Sequence, residues 1–224
     1  MKFNCILLCL FLIIGLAGCK NNDNVFPKQQ SSFIKIVNTS VDTLNIYLNG
    51  TRQNNLSNLY PGGSLIYFAV PTGAQNYQFK KAGSFSVLFN VNLSLTDSTY
   101  NTLFVSGESS GLTFSTLDNL PQTSNSVASD TAYIRFVNTS SDAGNLNASI
   151  GSTVKLNGVA YKYASTFLPV IAGQNEVKIS QGNSAVIIKD TTLTIQANYV
   201  YTLVTKGLIN GTGNTAFNVS LLTN

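Results

Sequence analysis

The side chains that most often carry enzymatic chemistry are scarce in this sequence. Its 224 residues contain no histidine and only nine Asp and Glu. The absence of histidine excludes a Ser-His-Asp triad and removes the commonest general base and zinc ligand. The carboxylates are dispersed: Asp23, Asp42, Asp97, Glu108, Asp118, Asp130, Asp142, Glu176 and Asp190. A glycosidase needs two carboxylates that face each other within about 10 Å, and this scatter predicts no such pair.

Two of these carboxylates end a motif that occurs twice. Asp42 closes Asn-Thr-Ser-Val-Asp, and Asp142 closes Asn-Thr-Ser-Ser-Asp. Such segments favour turns, because short polar side chains hydrogen-bond to the nearby backbone. We therefore expect two turn residues in separate domains rather than a catalytic pair. Ser-Lys catalysis stays open without a supporting motif, and no cofactor or metal site is predicted.

Tyrosine side chains offer a different chemistry, the stacking of rings against sugars. The candidate ligand contacts are Tyr47, Tyr60, Tyr67, Tyr161 and Tyr163. Tyrosines on alternate strand positions more often cover the face or edge of a sheet. Tryptophan, the strongest stacking residue, is absent. Both interpretations of the tyrosines are therefore kept.

Charged residues are sparse and unclustered. Thirteen Lys and Arg against nine Asp and Glu give a net charge of +4. The basic residues are scattered along the chain, whereas a nucleic-acid-binding surface needs them concentrated on one face. A nucleic-acid partner is therefore not expected.

The beginning of the chain has the features of an export signal. Lys2 precedes an apolar run from Cys5 to Leu16, which is shorter than the roughly 20 residues of a membrane-spanning helix. Leu16-Ala17-Gly18-Cys19 resembles the lipobox of bacterial lipoproteins, in which the cysteine sulfur receives a diacylglyceryl group. The resemblance implies a lipoprotein signal peptide over residues 1–18 and palmitate-type acylation of Cys19. A plain secretory signal is the alternative.

The predicted lipid anchor also indicates where in the cell the protein is held. One acyl chain binds a membrane only marginally, so stable attachment takes two or three chains. Lys20, rather than an acidic residue, follows the cysteine. We therefore expect a cell-envelope protein held at the outer membrane by its lipid, with the periplasmic and extracellular faces both open.

The rest of the chain contains an internal repeat. Residues 33–42 return as residues 133–142, an offset of 100. The same offset relates Gly73 to Gly173 and the Thr-Leu pair at 102–103 to that at 202–203. Matches at the start, middle and end at one spacing indicate duplication.

This repeat defines the domain organisation. The two copies are predicted to be domains spanning residues 32–117 and 131–224, here called the first and second copy. Residues 118–130, rich in Asn and Ser with one proline, have the composition of a linker. Residues 19–31 are polar and aperiodic, as expected of a lipidated flexible tether.

Within each copy the apolar residues alternate with a period of two. Leu44, Ile46 and Leu48 alternate with polar positions, and Asn49-Gly50 then offers a hairpin turn. Turns recur about every 8–12 residues, and no capped helical pattern is found. The sequence therefore predicts an all-β protein of two tandem β-sandwich domains, immunoglobulin-like or transthyretin-like, with about seven strands each.

Other segments are apolar at consecutive positions. Residues 65–70, 185–188 and 200–204 have this pattern, which is typical of strands buried on both faces or lying in a sandwich core.

The first strand of each copy carries a basic residue between apolar ones. We expect Ile34 and Ile36, and likewise Ile134 and Phe136, to face the cores. Lys35 and Arg135 are then expected to point outward, at little cost to stability when replaced. Should they be buried instead, each would need a carboxylate, with Asp42 and Asp142 the first candidates.

These motifs suggest a family. Residues 134–143, Ile-Arg-Phe-Val-Asn-Thr-Ser-Ser-Asp-Ala, resemble the opening of the bacterial domain of unknown function 4397, where a Val-Arg-Val-Val strand precedes His-Ala-Ser-Pro-Asp-Ala. The family's histidine is Asn38 and Asn138 here, so a metal or acid–base role for it is absent. The resemblance implies extracellular β-sandwich modules, often in tandem on lipoproteins, without an established activity.

The combined expectation is a non-enzymatic, lipid-anchored protein of the cell envelope or surface that acts as a binding or structural module. A carbohydrate-binding accessory lipoprotein for glycan capture is the first alternative. An unrecognised enzyme is the second. The expected partners are the membrane, through the lipid, and a glycan or envelope protein.

Overall fold

A computed structural model describes residues 29–107, 112–122, 130–182, 184 and 186–224. The predicted signal peptide, Cys19, most of the tether and most of the linker lie outside these residues. Within the described part of the chain, no helix has the length and apolar character needed to span a bilayer.

The first copy is a sandwich of two four-stranded sheets. One sheet has the order β4-β1-β7-β8 and the other the order β3-β2-β5-β6. The strands are β1 Ser31–Asn38, β2 Leu44–Leu48, β3 Thr51–Arg52, β4 Ser64–Pro71, β5 Gly73–Lys81, β6 Val87–Leu95, β7 Tyr100–Ser106 and β8 Leu112–Leu117. Apolar side chains from both sheets form the core between them: Ile34, Ile36, Leu44, Ile46, Tyr77, Phe79 and Leu103, among others.

The second copy repeats this architecture. Its sheets have the orders β12-β9-β16-β17, with β13 also pairing with β9, and β11-β10-β14-β15. The strands are β9 Thr131–Asn138, β10 Leu146–Ile150, β11 Val154–Val159, β12 Tyr163–Ala164, β13 Leu168–Ile171, β14 Gly173–Gln181, β15 Ile187–Ile195, β16 Val200–Lys206 and β17 Asn218–Thr223, with a 3-10 turn at Gly213–Thr215. Its core is separate from that of the first copy.

The predicted all-β sandwich fold is confirmed, and the described parts of the two copies contain eight and nine strands instead of about seven. The Asn49-Gly50 turn joins β2 to β3 with φ angles of 48° and 85°, the left-handed pair that Asn-Gly adopts most readily in tight hairpins. Strand β1 runs parallel to β7, and β9 parallel to β16.

The two copies pack against each other through their β1- and β9-containing sheets. Val37 and Phe104 of the first copy form one buried cluster with Val137 and Val204 of the second. These residues alternate along their strands with residues of the two sandwich cores. The central strands are therefore buried on both faces. One face of each strand packs in the core of its own sandwich, and the other packs against the sheet of the other copy. The two sheet surfaces that meet in this way are called the interdomain face.

The predicted assignment of the first strands is half right. Ile34, Ile36, Ile134 and Phe136 are fully buried in the cores, which confirms the apolar half. The expectation that the intervening basic residues point into solvent is wrong, because the outer face of each strand is covered by the other copy.

The consecutive apolar segments have different outcomes. Residues 200–204 are all buried, as expected of a strand covered on both faces. Residues 65–70 lie at a sandwich core, with Leu65, Phe68 and Val70 packed in it, as one form of the expectation has it. Burial on both faces is wrong for this segment and for the described residues 186–188, because Ile66 on edge strand β4 and Val186 at the β14–β15 hairpin tip are exposed.

Candidate functional site

The centre of the interdomain face holds two basic side chains. Lys35 on β1 and Arg135 on β9, which are 100 residues apart, are 1% and 2% exposed. Charges at this depth lose their hydration, so each needs compensating partners from the protein. The partners found by the two residues differ.

Arg135 is neutralised by a carboxylate. Its Nη1 lies 2.5 Å from Oδ1 of Asp118, and the two side chains are 3% and 0% exposed. Its Nε donates to the hydroxyl of Thr202 at 2.9 Å, and the guanidinium lies 4.8 Å from the ring centroid of Phe167. The guanidinium is thus held by charge, a hydrogen bond and an aromatic face.

Asp118 collects hydrogen bonds on both carboxylate oxygens. Oδ2 accepts from the hydroxyls of Tyr67, at 2.5 Å, and Thr102. Oδ1 accepts from Thr116 at 2.8 Å, in addition to Arg135. Burial, followed by the neighbouring carboxylate, raises the pKa of the Tyr67 hydroxyl well above its usual range. Tyr67 therefore acts as a hydrogen-bond donor at this position.

Lys35 has only neutral partners. Its ammonium donates to the carbonyl oxygen of Thr223 and, at 3.0 Å, to Oδ1 of Asn224. It forms no salt bridge with any described residue. Burial, and then repulsion from Arg135, lower the pKa of Lys35 to about 8, against a smaller opposing effect of Asp118.

These contacts are reciprocal. Asp118 directly follows β8, and Asn224 directly follows the equivalent strand β17. Each of these residues accepts a hydrogen bond from the basic residue of the other copy. Each also pairs with a threonine of its own copy, Thr102 or Thr202. The interdomain face is therefore a quasi-twofold contact. The side chain that accepts the hydrogen bond is a carboxylate, Asp118, in one half and an amide, Asn224, in the other.

The asparagines in place of the family's histidine are structural. The Asn38 side-chain amide donates to the carbonyls of Asp42 and Leu59 at 2.8 and 3.0 Å, and its oxygen accepts from the Ser40 amide at 3.0 Å. Asn138 makes the corresponding contacts in the second copy. Both are buried. They fix the loop after the first strand, as expected for this turn motif.

The two aspartates of that motif stay apart, as predicted. Asp42 forms a salt bridge with Lys81 at 2.7 Å. Asp142 accepts the backbone N–H of Ile209 at 3.0 Å. Neither is a partner of Lys35 or Arg135, so the suggestion that they would compensate these residues if buried is wrong. Among the described residues, no group of three His, Cys, Asp or Glu could hold a metal ion.

Two open clefts flank the interdomain face. The first has a volume of about 500 Å³ and lies between the end of β8 and the segment 162–167, with Arg135 in its wall. The second has a volume of about 490 Å³ and lies between the loop before β4 and β17, with Lys206 in its wall. Small polar side chains in the walls are Ser115, Thr116, Asn119, Ser165 and Thr166 in the first cleft and Thr43, Asn214 and Asn218 in the second. Such walls can form many hydrogen bonds with a hydroxylated ligand.

The predicted tyrosines do not form one platform. Tyr67 is part of the Asp118 contact, and the Tyr161 hydroxyl lies 3.0 Å from Oγ of Ser106 in the other copy. Tyr47 lies on β2 in the other sheet of the first copy, beneath the Lys80 ammonium at 4.4 Å.

The remaining two tyrosines are free for a ligand. Tyr60 is 62% exposed in the second cleft, and Tyr163 is 60% exposed in the first. Each cleft therefore contains one exposed tyrosine.

Sequence reasoning missed the buried polar centre, because Lys35 and Arg135 were assigned to solvent and Asp118 to a linker. One signal was available. Val37 and Val137 occupy the same strand face as the basic residues, and apolar residues on a supposedly exposed face indicate a covering layer.

Fold and site define a protein of two β-sandwich domains joined through a buried polar contact. The chain belongs to the family described as Domain of unknown function (DUF4397), whose model matches residues 32–149 and 132–223. This confirms the resemblance inferred from the opening motif. No curated protein sequence matches the chain.

Solved structures give only distant likenesses. A family 26 carbohydrate-binding module from Eubacterium rectale is 10% identical, with a TM-score of 0.27 and coverage of 87% of this chain and 97% of that one. A family 41 module from streptococcal virulence factors is 13% identical, with a TM-score of 0.25 and coverage of 77% and 93%.

The TIE protein of Bacillus anthracis is 10% identical, with a TM-score of 0.27 and coverage of 79% of this chain. The chain spans about a third of the length of that protein, 34%. At these TM-scores the likenesses carry no functional information.

Proposed function

We propose that this protein is a non-enzymatic, lipid-anchored module of the cell envelope that binds glycans in the clefts between its two copies. The observation that carries the proposal is the pairing of clefts and tyrosines. Each cleft exposes one tyrosine ring and has at least three small polar side chains in its walls, and a sugar needs a ring to stack on and hydrogen-bond partners for its hydroxyls.

The buried contact between the copies supports this function by fixing the cleft walls. Each cleft has one wall from each copy, so its shape depends on how the copies are docked. The Arg135–Asp118 pair and the Lys35–Asn224 contact hold that docking. A preformed site loses less entropy on binding than one that must assemble around its ligand.

The binding proposal is tested by screening the whole mature protein on a glycan array and measuring the affinity of retained sugars by calorimetry. Tyr60→Ala and Tyr163→Ala should each weaken binding at the affected cleft up to about tenfold, since an aromatic contact contributes roughly 0.5–1.5 kcal/mol. Tyr47→Ala, on another sheet, is the matched control. Unchanged affinity in both cleft variants would contradict the proposal.

The anchor is tested separately. Cys19→Ala should abolish labelling by a fatty-acid analogue and move the protein from the membrane to the soluble fraction. Persistent labelling in this variant would exclude Cys19 as the acylated residue.

A further inference from the structure

We infer that both clefts select acidic glycans, those bearing carboxylate groups, over neutral ones. This inference rests on the proposed function and specifies its ligand class. It is drawn from the lysines of the clefts and from the positions in the two copies that supply them.

Each cleft contains one lysine without an acidic partner. Lys162 lines the first cleft and Lys206 the second. Neither forms a salt bridge with a described residue, and none of the described residues lining either cleft is acidic. The charge of Arg135, in the wall of the first cleft, is already matched by Asp118. Each cleft therefore carries about one uncompensated positive charge.

The two lysines come from non-equivalent positions. In the second copy Lys162 has a φ of 63°, and its amide donates to the Asn138 carbonyl. Gly62, with a φ of 83°, makes the same contact to Asn38 in the first copy. The lysine at this position has thus been kept, or acquired, in one copy only.

The second position likewise carries a lysine in the second copy only. Lys206 ends β16, whereas Ser106 ends the equivalent strand β7. Across the quasi-twofold contact, Lys206 lies beside Gly62, and Ser106 lies beside Tyr161, next to Lys162. One contact therefore pairs a lysine with a glycine, and the other pairs a serine with the tyrosine that precedes a lysine.

At the contact with Lys206, the lysine side chain occupies the space beside Gly62. A Cβ placed on Gly62 would lie 2.8 Å from Nζ of Lys206 and 3.0 Å from Oγ of Ser220. A side chain at position 62 would therefore displace the Lys206 ammonium.

Each of the two exposed tyrosines is likewise present in one copy only. Tyr60 corresponds to Ala160, and Tyr163 corresponds to Gly63, across the offset of 100. The copies have diverged at all these positions, yet each cleft retains one exposed tyrosine, one lysine that forms no salt bridge with a described residue, and no described acidic residue. A ring and a cation are the complementary groups for a sugar ring and its carboxylate.

The experiment presents the whole protein to an array of galacturonate, glucuronate, mannuronate and sialic-acid oligosaccharides, each beside its neutral methyl-esterified counterpart. The acidic member should be retained at least tenfold more tightly. Lys162→Gln and Lys206→Gln should each reduce that preference, and raising NaCl from 0.05 to 0.5 M should weaken it through screening. Lys155→Gln, an exposed lysine on β11, is the control, and unchanged melting temperatures show that all variants fold.

The outcomes separate the two proposals. Equal or tighter binding of the neutral esters, still sensitive to Tyr163→Ala, would overturn the preference for acidic sugars and leave glycan binding supported. Retention of the acidic sugars that survives Lys162→Gln/Lys206→Gln would also overturn it. Absence of binding to every member of the array would overturn both proposals.

Discussion

The two halves of the interdomain contact occupy equivalent positions but solve the burial of a cation differently. In one half, Arg135 meets the carboxylate of Asp118, which three hydroxyl groups also hydrogen-bond. In the other, the described partners of Lys35 are all neutral: a backbone carbonyl, the amide oxygen of Asn224 and the ring of Tyr67. The difference shows that the duplicated copies no longer contribute equally to their docking.

The chemistry of the two cations fits this division. A guanidinium stays protonated under all ordinary conditions and presents a planar set of donors to a carboxylate. A lysine can lose its proton when its surroundings disfavour charge. The cation of the Arg135 half is therefore permanent, whereas the cation of the Lys35 half loses its charge as the pH rises through about 8.

The largest expected effect comes from removing the carboxylate. Asp118→Asn leaves the Arg135 charge buried without a counter-ion, which should cost about 3–5 kcal/mol of unfolding free energy. Urea unfolding followed by circular dichroism measures it. Combining Asp118→Asn with Arg135→Gln should recover part of the loss, and a strictly additive double variant would show that the two side chains are not coupled.

The second prediction uses the lowered pKa of Lys35. Between pH 8 and 10 the unfolded chain holds a proton on this residue that the folded protein has lost, so stability should rise with pH across this window. The size of the rise is about 2 kcal/mol for a shift from 10.5 to about 8. The raised pKa of Tyr67 and Tyr77 acts in the opposite direction above pH 10.

The matched variant for this pH dependence is Lys35→Met, which lacks the titrating group. The difference in unfolding free energy between the original protein and Lys35→Met should change over pH 8–10. A constant difference would mean that Lys35 keeps its proton throughout, and the contrast between the two halves would then be smaller than inferred.

The third prediction concerns a variant in which both halves of the interdomain contact contain a carboxylate. Asn224→Asp gives Lys35 a carboxylate at the position equivalent to Asp118. The gain should be about 1 kcal/mol near pH 7, the difference between a neutral and a charge-assisted hydrogen bond. The rise of stability between pH 8 and 10 should diminish in the same variant, because the new charge favours protonated Lys35. A loss of stability would indicate that burial of the second carboxylate outweighs the new pair.

Much of the fold follows from the sequence, because alternation within strands such as β2 identifies the residues that face a core. The offset of 100 likewise predicts two similar units. The sequence does not predict that the outer faces of β1 and β9 are covered by the other copy. Alternation separates the two faces of β1 but does not show what lies against the second one. A lysine at position 35 therefore resembles an exposed residue until the other copy is placed against it.

The candidate site was harder to predict for the same reason. Arg135 and Asp118 are brought together by the docking of two domains, and Asp118 stands at the start of a segment with the composition of a linker. Tyr60 and Tyr163 were identified by residue type. Their distinction from Tyr67 and Tyr161 depends on which hydroxyls find partners across the interdomain face.

The smallest predicted effect concerns an ion pair away from the interdomain face. Lys81 and Asp42 approach to 2.7 Å, but their side chains are 60% and 16% exposed. Water and salt screen such a pair, so Lys81→Ala should cost less than about 1 kcal/mol, and the cost should shrink in 0.5 M NaCl. The effect of Asp118→Asn should depend much less on salt, because its pair is excluded from solvent. Equal costs and equal salt dependence for the two variants would contradict the conclusion that burial distinguishes the Arg135 half from an ordinary surface contact.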